Sequence, residues 1–110
     1  MKTALILTTL DSKEAAAQLA RELVESSWAA CVSILGPMQS IYEWKSAIET
    51  DEEFLLLIKR PDDNLNEFEK KLRESHPYET PEILVFRADH TGNDYLSWLL
   101  TATQSTQSTS

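Results

Sequence analysis

The chain has 110 residues, 42% hydrophobic and 25% charged, which is the composition of one globular domain with its own core. Eighteen acidic against ten basic residues leave a net charge of −8, which argues against a phosphate-backbone surface and so against nucleic acid as a partner. The single cysteine, Cys31, excludes an internal disulfide, a Cys-x-x-Cys redox pair and a cysteine-built zinc ribbon.

Ala4–Leu10 reads as a first strand, short and aliphatic, ended by Asp11-Ser12. Asp11 or Ser12 caps a helix running to about Ser27, whose apolar stripe is Ala15, Ala16, Leu19, Ala20, Leu23 and Val24. Ala30–Leu35 is a second strand, interrupted at Gly36-Pro37 by an expected bulge or bend. Gln39–Trp44 then alternates, with Ile41 and Glu43 on one face and Tyr42 and Trp44 on the other. Lys45-Ser46-Ala47 is a turn region, and Phe54–Lys59 is the third strand of a hairpin. Asn64, with Glu67 three residues on, has the spacing of a loose capping box for a second helix striped by Leu65, Phe68 and Leu72. His76-Pro77 ends that helix. Pro81 introduces a fourth strand, Glu82–Arg87, and Asn93 caps a last short helix bearing Tyr95, Leu96, Trp98, Leu99 and Leu100. Residues 105–110 are all Ser, Thr and Gln, a polar tail expected to be disordered after a single domain over 1–104.

The order β-α-β-β-α-β plus a C-terminal helix predicts an α+β, ferredoxin-like sandwich with an antiparallel sheet. In such a sandwich one sheet face meets the helices and the other meets water. Yet Ala4–Leu7, Leu55–Ile58 and Ile83–Phe86 are apolar at every position, the mark of strands buried on both faces. Either the last helix folds over the second face or copies of the chain cover it, and a closed homo-oligomer is the expectation. The opening apolar stretch is too short for a signal segment and no run of about 18 apolar residues exists, so a cytoplasmic location and no membrane partner are expected.

A few side chains carry chemistry. His76, at a helix end beside Pro77, is a candidate imidazole ligand for copper or zinc, with a helix-capping role as the alternative. Cys31 is a candidate soft ligand, or a small core hydrophobe. Glu79 and Glu82 flank Pro81 in an extended segment, with Glu49, Asp51, Glu52 and Glu53 in the hairpin, and such oxygens suit hard divalent cations. Lys59 ends an aliphatic strand and is expected to pair with Glu82 or Glu53, or to hold an anionic effector between subunits. Tyr42, Trp44, Tyr78 and Trp98 are amphipathic aromatics of the kind found at interfaces and pockets. No Ser-His-Asp order, phosphate-cradling glycine loop or HExxH occurs, and the chain has two glycines, so the sequence points away from an enzyme.

Ala30-Cys31-Val32-Ser33-Ile34, Ser40-Ile41-Tyr42-Glu43-Trp44, Ile48-Glu49, Glu53, Lys59, His76-Pro77-Tyr78-Glu79-Thr80-Pro81-Glu82-Ile83 and Tyr95-Leu96-Ser97-Trp98 occur in order. Over about residues 4 to 102 they closely resemble the CutA family of divalent-cation tolerance proteins. The resemblance implies a non-catalytic homotrimer, akin in architecture to PII signalling proteins, that binds divalent metal, copper among the candidates. On that reading His76, Cys31 and Glu79 are the metal candidates. The inter-subunit pocket would be formed by Tyr42, Trp44, Glu49, Lys59, Tyr78, Glu82 and Trp98. The alternative is a PII-like module that takes a small effector in that cleft. This chain departs from the family pattern in places. Trp44-Lys45-Ser46-Ala47 lacks the hairpin glycine and the lysine after it, and Ser33 replaces an asparagine. Gly36-Pro37 reverses the more frequent order of those two residues. The first strand has Thr8 and Thr9 where some members have cysteine, and a histidine pair is reduced to Ser75-His76.

Overall fold

The computed structural model describes residues 1–104, and the expectation for 105–110 lies outside the described residues. The elements are β1 (Thr3–Leu10), α1 (Lys13–Glu25), β2 (Cys31–Trp44), β3 (Ala47–Pro61), α2 (Leu65–Ser75), β4 (Leu84–Arg87) and α3 (Asn93–Ala102). The sheet runs β2-β3-β1-β4 with every pair antiparallel. This is the ferredoxin-like sandwich that the element order predicts.

One sheet face carries Ala4, Ile6, Leu56 and Ile58, and α1 and α2 close over it with Ala16, Leu19, Leu23, Phe68 and Leu72. Ser12 caps α1 by accepting the amide of Ala15 at 3.0 Å. Two expected caps do not form. Asn64 adopts a left-handed conformation (φ 51°) and makes no side-chain cap, because it must turn the chain sharply out of β3. Gly92, not Asn93, occupies the cap position of α3. Arg60, only 4% exposed, closes the β3 end of the core. Its guanidinium donates to the carbonyls of Trp28, Pro61 and Asp63 at 2.7–2.9 Å and lies 4.8 Å from the Phe68 ring centroid.

The β2–β3 hairpin is longer than the sequence pattern predicts. The bulge expected at Gly36-Pro37 is present between Leu35 and Met38, and β2 continues through it as one strand. A Cβ on Gly36 would lie 2.8 Å from the Phe54 ring and 3.0 Å from the Glu53 carbonyl oxygen, so only glycine fits there. β3 begins at Ala47, seven residues before the expected start. The acidic run Glu49–Glu53 has the composition of a loop but is held extended by pairing with Met38–Tyr42. The turn is just Lys45 and Ser46, both at positive φ (52° and 68°), the backbone of a two-residue primed turn without glycine.

The second sheet face bears Leu5, Leu7, Leu55 and Leu57, with Leu35, Leu84 and Phe86 toward its edges. α3 covers one end of it. Leu99 is buried there, outside the α1–α2 core, and Thr3 meets Thr91 at 2.8 Å between hydroxyls. The rest stays open, with Leu35 62% and Phe86 52% exposed. The last helix thus covers part of the face and leaves the remainder uncovered in the single chain.

Candidate functional site

A cavity of about 660 Å³ opens where the hairpin meets the segment after α2. Its walls are Thr9 of β1, Ser40, Ile41, Tyr42 and Trp44 of β2, Glu53 of β3, and Tyr78, Glu79, Thr80 and Glu82 of the α2–β4 connection. That volume is within the range of small-molecule sites, roughly 300–1,000 Å³.

His76 sets the path of the connection. Its ring is 6% exposed, Nε2–H donates to the Thr9 carbonyl at 3.0 Å, and Nδ1 accepts the amide of Tyr78 at 3.1 Å. Pairing a carbonyl with one nitrogen and an N–H with the other fixes the neutral Nε2–H tautomer. Burial also lowers its pKa, opposed by the Thr9 carbonyl and by Glu53 and Asp11. The Tyr78 ring meets the imidazole edge-on at 4.8 Å, and its hydroxyl donates to Glu53 Oε2 at 3.0 Å. Burial, then the Glu53 bond, pushes the Tyr78 phenol well above its ordinary value. On the hairpin Tyr42 donates to Asp51, and that bond is the main cause of a phenol pKa pushed up to about 12. Both phenols are therefore neutral donors at physiological pH.

The lining has three carboxylates, Glu53, Glu79 and Glu82, and no basic side chain. Three aromatic rings, Tyr42, Trp44 and Tyr78, stand beside them. Such a site attracts positive charge and repels anions.

The residues singled out from the sequence divide in two. Tyr42, Trp44, Tyr78, Glu79 and Glu82 line the cavity, whereas Glu49, Lys59 and Trp98 do not. Lys59 pairs with neither Glu53 nor Glu82. The register sets it opposite Cys31, its ammonium bonds the Ser33 hydroxyl, and it lies 3.8 Å from the Cys31 sulfur. Glu53 is six residues back along β3, about 20 Å away at roughly 3.3 Å per residue. Trp98 packs on Tyr95 of α3 at 5.5 Å between centroids, and Glu49 sits near the hairpin turn opposite Tyr42. Tyr95 in turn has its phenol pKa raised by burial and by the neighbouring Cys31.

His76, Cys31 and Glu79 do not converge within one chain. Cys31 lies level with Leu5, four residues or about 13 Å along β1 from Thr9, where His76 is anchored. Both His76 nitrogens already have partners. Among the described residues no group of three or more His, Cys, Asp or Glu side chains is placed to hold a metal ion. Sequence reasoning missed Thr9 and Ser40 as lining residues, because a threonine and a serine inside strands carry no signal until the register is known.

The fold and cavity define a small α+β, ferredoxin-like protein with an acidic, aromatic pocket under a long hairpin. Residues 4–102 match the family of CutA1 divalent ion tolerance proteins, and the chain belongs to that family. It is 36% identical over 94 residues to the divalent-cation tolerance protein CutA of Thermus thermophilus, covering 86% of this chain and 91% of the relative. The CutA structure from Synechococcus elongatus superposes with a TM-score of 0.88 at 36% identity, covering 93% of this chain and 90% of that one. The CutA structure from Xylella fastidiosa gives a TM-score of 0.88 at 33% identity over 94% and 99% of the two chains.

Proposed function

We propose that the protein is a non-catalytic homotrimer serving divalent-cation tolerance, and that its working site is the acidic cavity, which receives a positively charged ligand. The observation that carries this reading is the lining itself, three carboxylates with no cation among them. Family membership supports the tolerance role. The uncovered apolar face supports self-association: Leu35, Leu84 and Phe86 expose more apolar surface on one sheet face than a soluble single chain carries comfortably. No helix among the described residues is long and apolar enough to cross a membrane, and the unpaired Cys31 thiol suits the reducing cytoplasm that belongs to this proposal.

A divalent ion is the first candidate ligand. With no preformed cluster of protein ligands, the ion enters largely hydrated and meets Glu79 and Glu82 through weak oxygen contacts. Copper would prefer imidazole or thiolate, and His76 is committed to Thr9 and Tyr78. Calorimetric titration of metal-stripped protein with Mn(II), Zn(II) and Cu(II), its mass checked by light scattering, tests this. Saturable Mn(II) binding on a trimer supports it, and Cu(II) binding that depends on His76 or Cys31 overturns the placement. The three aromatic walls favour a second reading, a small organic effector in the same cavity, since a hydrated metal ion has no use for them.

A further inference from the structure

We propose that the cavity recognises a small organic cation bearing a quaternary or bulky protonated amine head. The inference rests on the effector reading above and names its chemical class.

Several independent features converge on this class. The carboxylates of Glu53, Glu79 and Glu82 are spread around the walls and do not cluster on a point, as shown by the absence of any three-ligand metal group among the described residues. Dispersed negative charge suits a cation whose charge is itself spread over a large head. Tyr42, Trp44 and Tyr78 supply the electron-rich faces that such heads seek within about 6 Å of a ring centroid. Trp44 already behaves this way toward the protein's own charge, with the Lys45 ammonium 6.0 Å from its centroid. An anionic effector is disfavoured, because Lys59 hydrogen-bonds Ser33 far from the cavity and no basic residue lines it.

Thr9 of β1 forms the floor of the cavity beside these groups. It is 5% exposed and lines the cavity, and the strand register places its side chain on the same sheet face as that of Glu53. Its carbonyl accepts the His76 N–H, so the cavity wall at Thr9 is tied to the segment that carries Tyr78 and Glu79.

The test uses choline as the probe and 3,3-dimethylbutanol, the same shape without the charge, as its control. Both are titrated calorimetrically into the full-length protein, together with Mn(II), after light scattering confirms the mass of each variant. Choline is expected to saturate and to bind at least tenfold more tightly than the neutral alcohol. Trp44→Leu should weaken choline at least fivefold and leave Mn(II) unchanged, with Tyr42→Leu as the second aromatic variant should Trp44→Leu alter the mass. Glu82→Gln should weaken both ligands. Equal binding of the alcohol, or choline binding indifferent to both aromatic variants, overturns the organic-cation class. Failure of choline with Mn(II) binding that still depends on Glu82 also overturns it, while leaving the cation-binding cavity standing. If neither ligand responds to Glu82→Gln, the cavity reading itself fails.

Discussion

The hydroxyl of Tyr78 donates to Oε2 of Glu53 at 3.0 Å, and this bond ties the connection after α2 to the middle of β3. It closes one wall of the cavity and holds a carboxylate in place at the same time. Tyr78→Phe removes the donor and keeps the ring against His76. A net loss of about 1 kcal/mol of stability is expected, as for a partly buried hydrogen bond to a charged acceptor. The shift of the urea midpoint, with the slope unchanged, measures it. No shift would mean that Glu53 and the connection are held by other contacts.

His76 gives the protein a specific pH response. Its folded-state pKa is lowered, chiefly by burial, so the unfolded chain binds the proton more readily. Stability is therefore complete above about pH 6.5, the ordinary imidazole value, and falls as the pH drops from there toward the lower folded value. Protonation would also set an Nδ1–H against the Tyr78 amide, two donors facing each other, and loosen the wall that carries Tyr78 and Glu79. Thermal unfolding between pH 7 and pH 5 should show this loss in the wild type and a flatter profile in His76→Gln. Parallel profiles would assign the acid response elsewhere. One other contributor acts lower: Glu22, held below its ordinary value by hydrogen bonds from Lys71 and then Ser75, loses its contribution as the pH falls through about 4.5 and below.

The hairpin turn leaves room for improvement. Ser46 sits at φ 68°, a conformation glycine adopts without strain and serine does not. Ser46→Gly should raise stability by about 0.5–1 kcal/mol through relief of that strain. Denaturant titration reads the gain, and a loss would show that the turn conformation is not the one described.

Most of the architecture was legible in the sequence because hydrophobic periodicity is written locally. The α1 stripe of Leu19 and Leu23 and the α2 stripe of Phe68 and Leu72 face the core as expected. What escaped was set by partners distant along the chain. Glu49–Glu53 has the composition of a loop, and only pairing with Met38–Tyr42 makes it strand. The sequence suggests a carboxylate partner for Lys59, whereas the register gives it Cys31 and Ser33. The cavity was half legible: Tyr42, Trp44, Tyr78, Glu79 and Glu82 stood out by residue type, whereas Thr9 joins them only through its place in β1. His76 was recognised as chemically special, yet its role in the single chain is to bond Thr9 and Tyr78 and shape the site from behind.

The open sheet face makes a prediction about assembly. Phe86→Lys places a charge on exposed apolar surface at the β4 edge of the open face and costs the single chain little, since that side chain is half exposed already. Light scattering should show the wild type at three times the chain mass and the variant at a lower mass. A variant with the wild-type mass would place the subunit contact elsewhere.

The claim at the centre of this account is that the cavity's carboxylates select a cation. Its most direct test is calorimetric titration of the metal-stripped protein with Mn(II), in the wild type and in Glu79→Gln/Glu82→Gln. The account predicts saturable binding in the wild type that weakens at least tenfold in the variant, with the mass unchanged. Binding of equal strength in both proteins would contradict it.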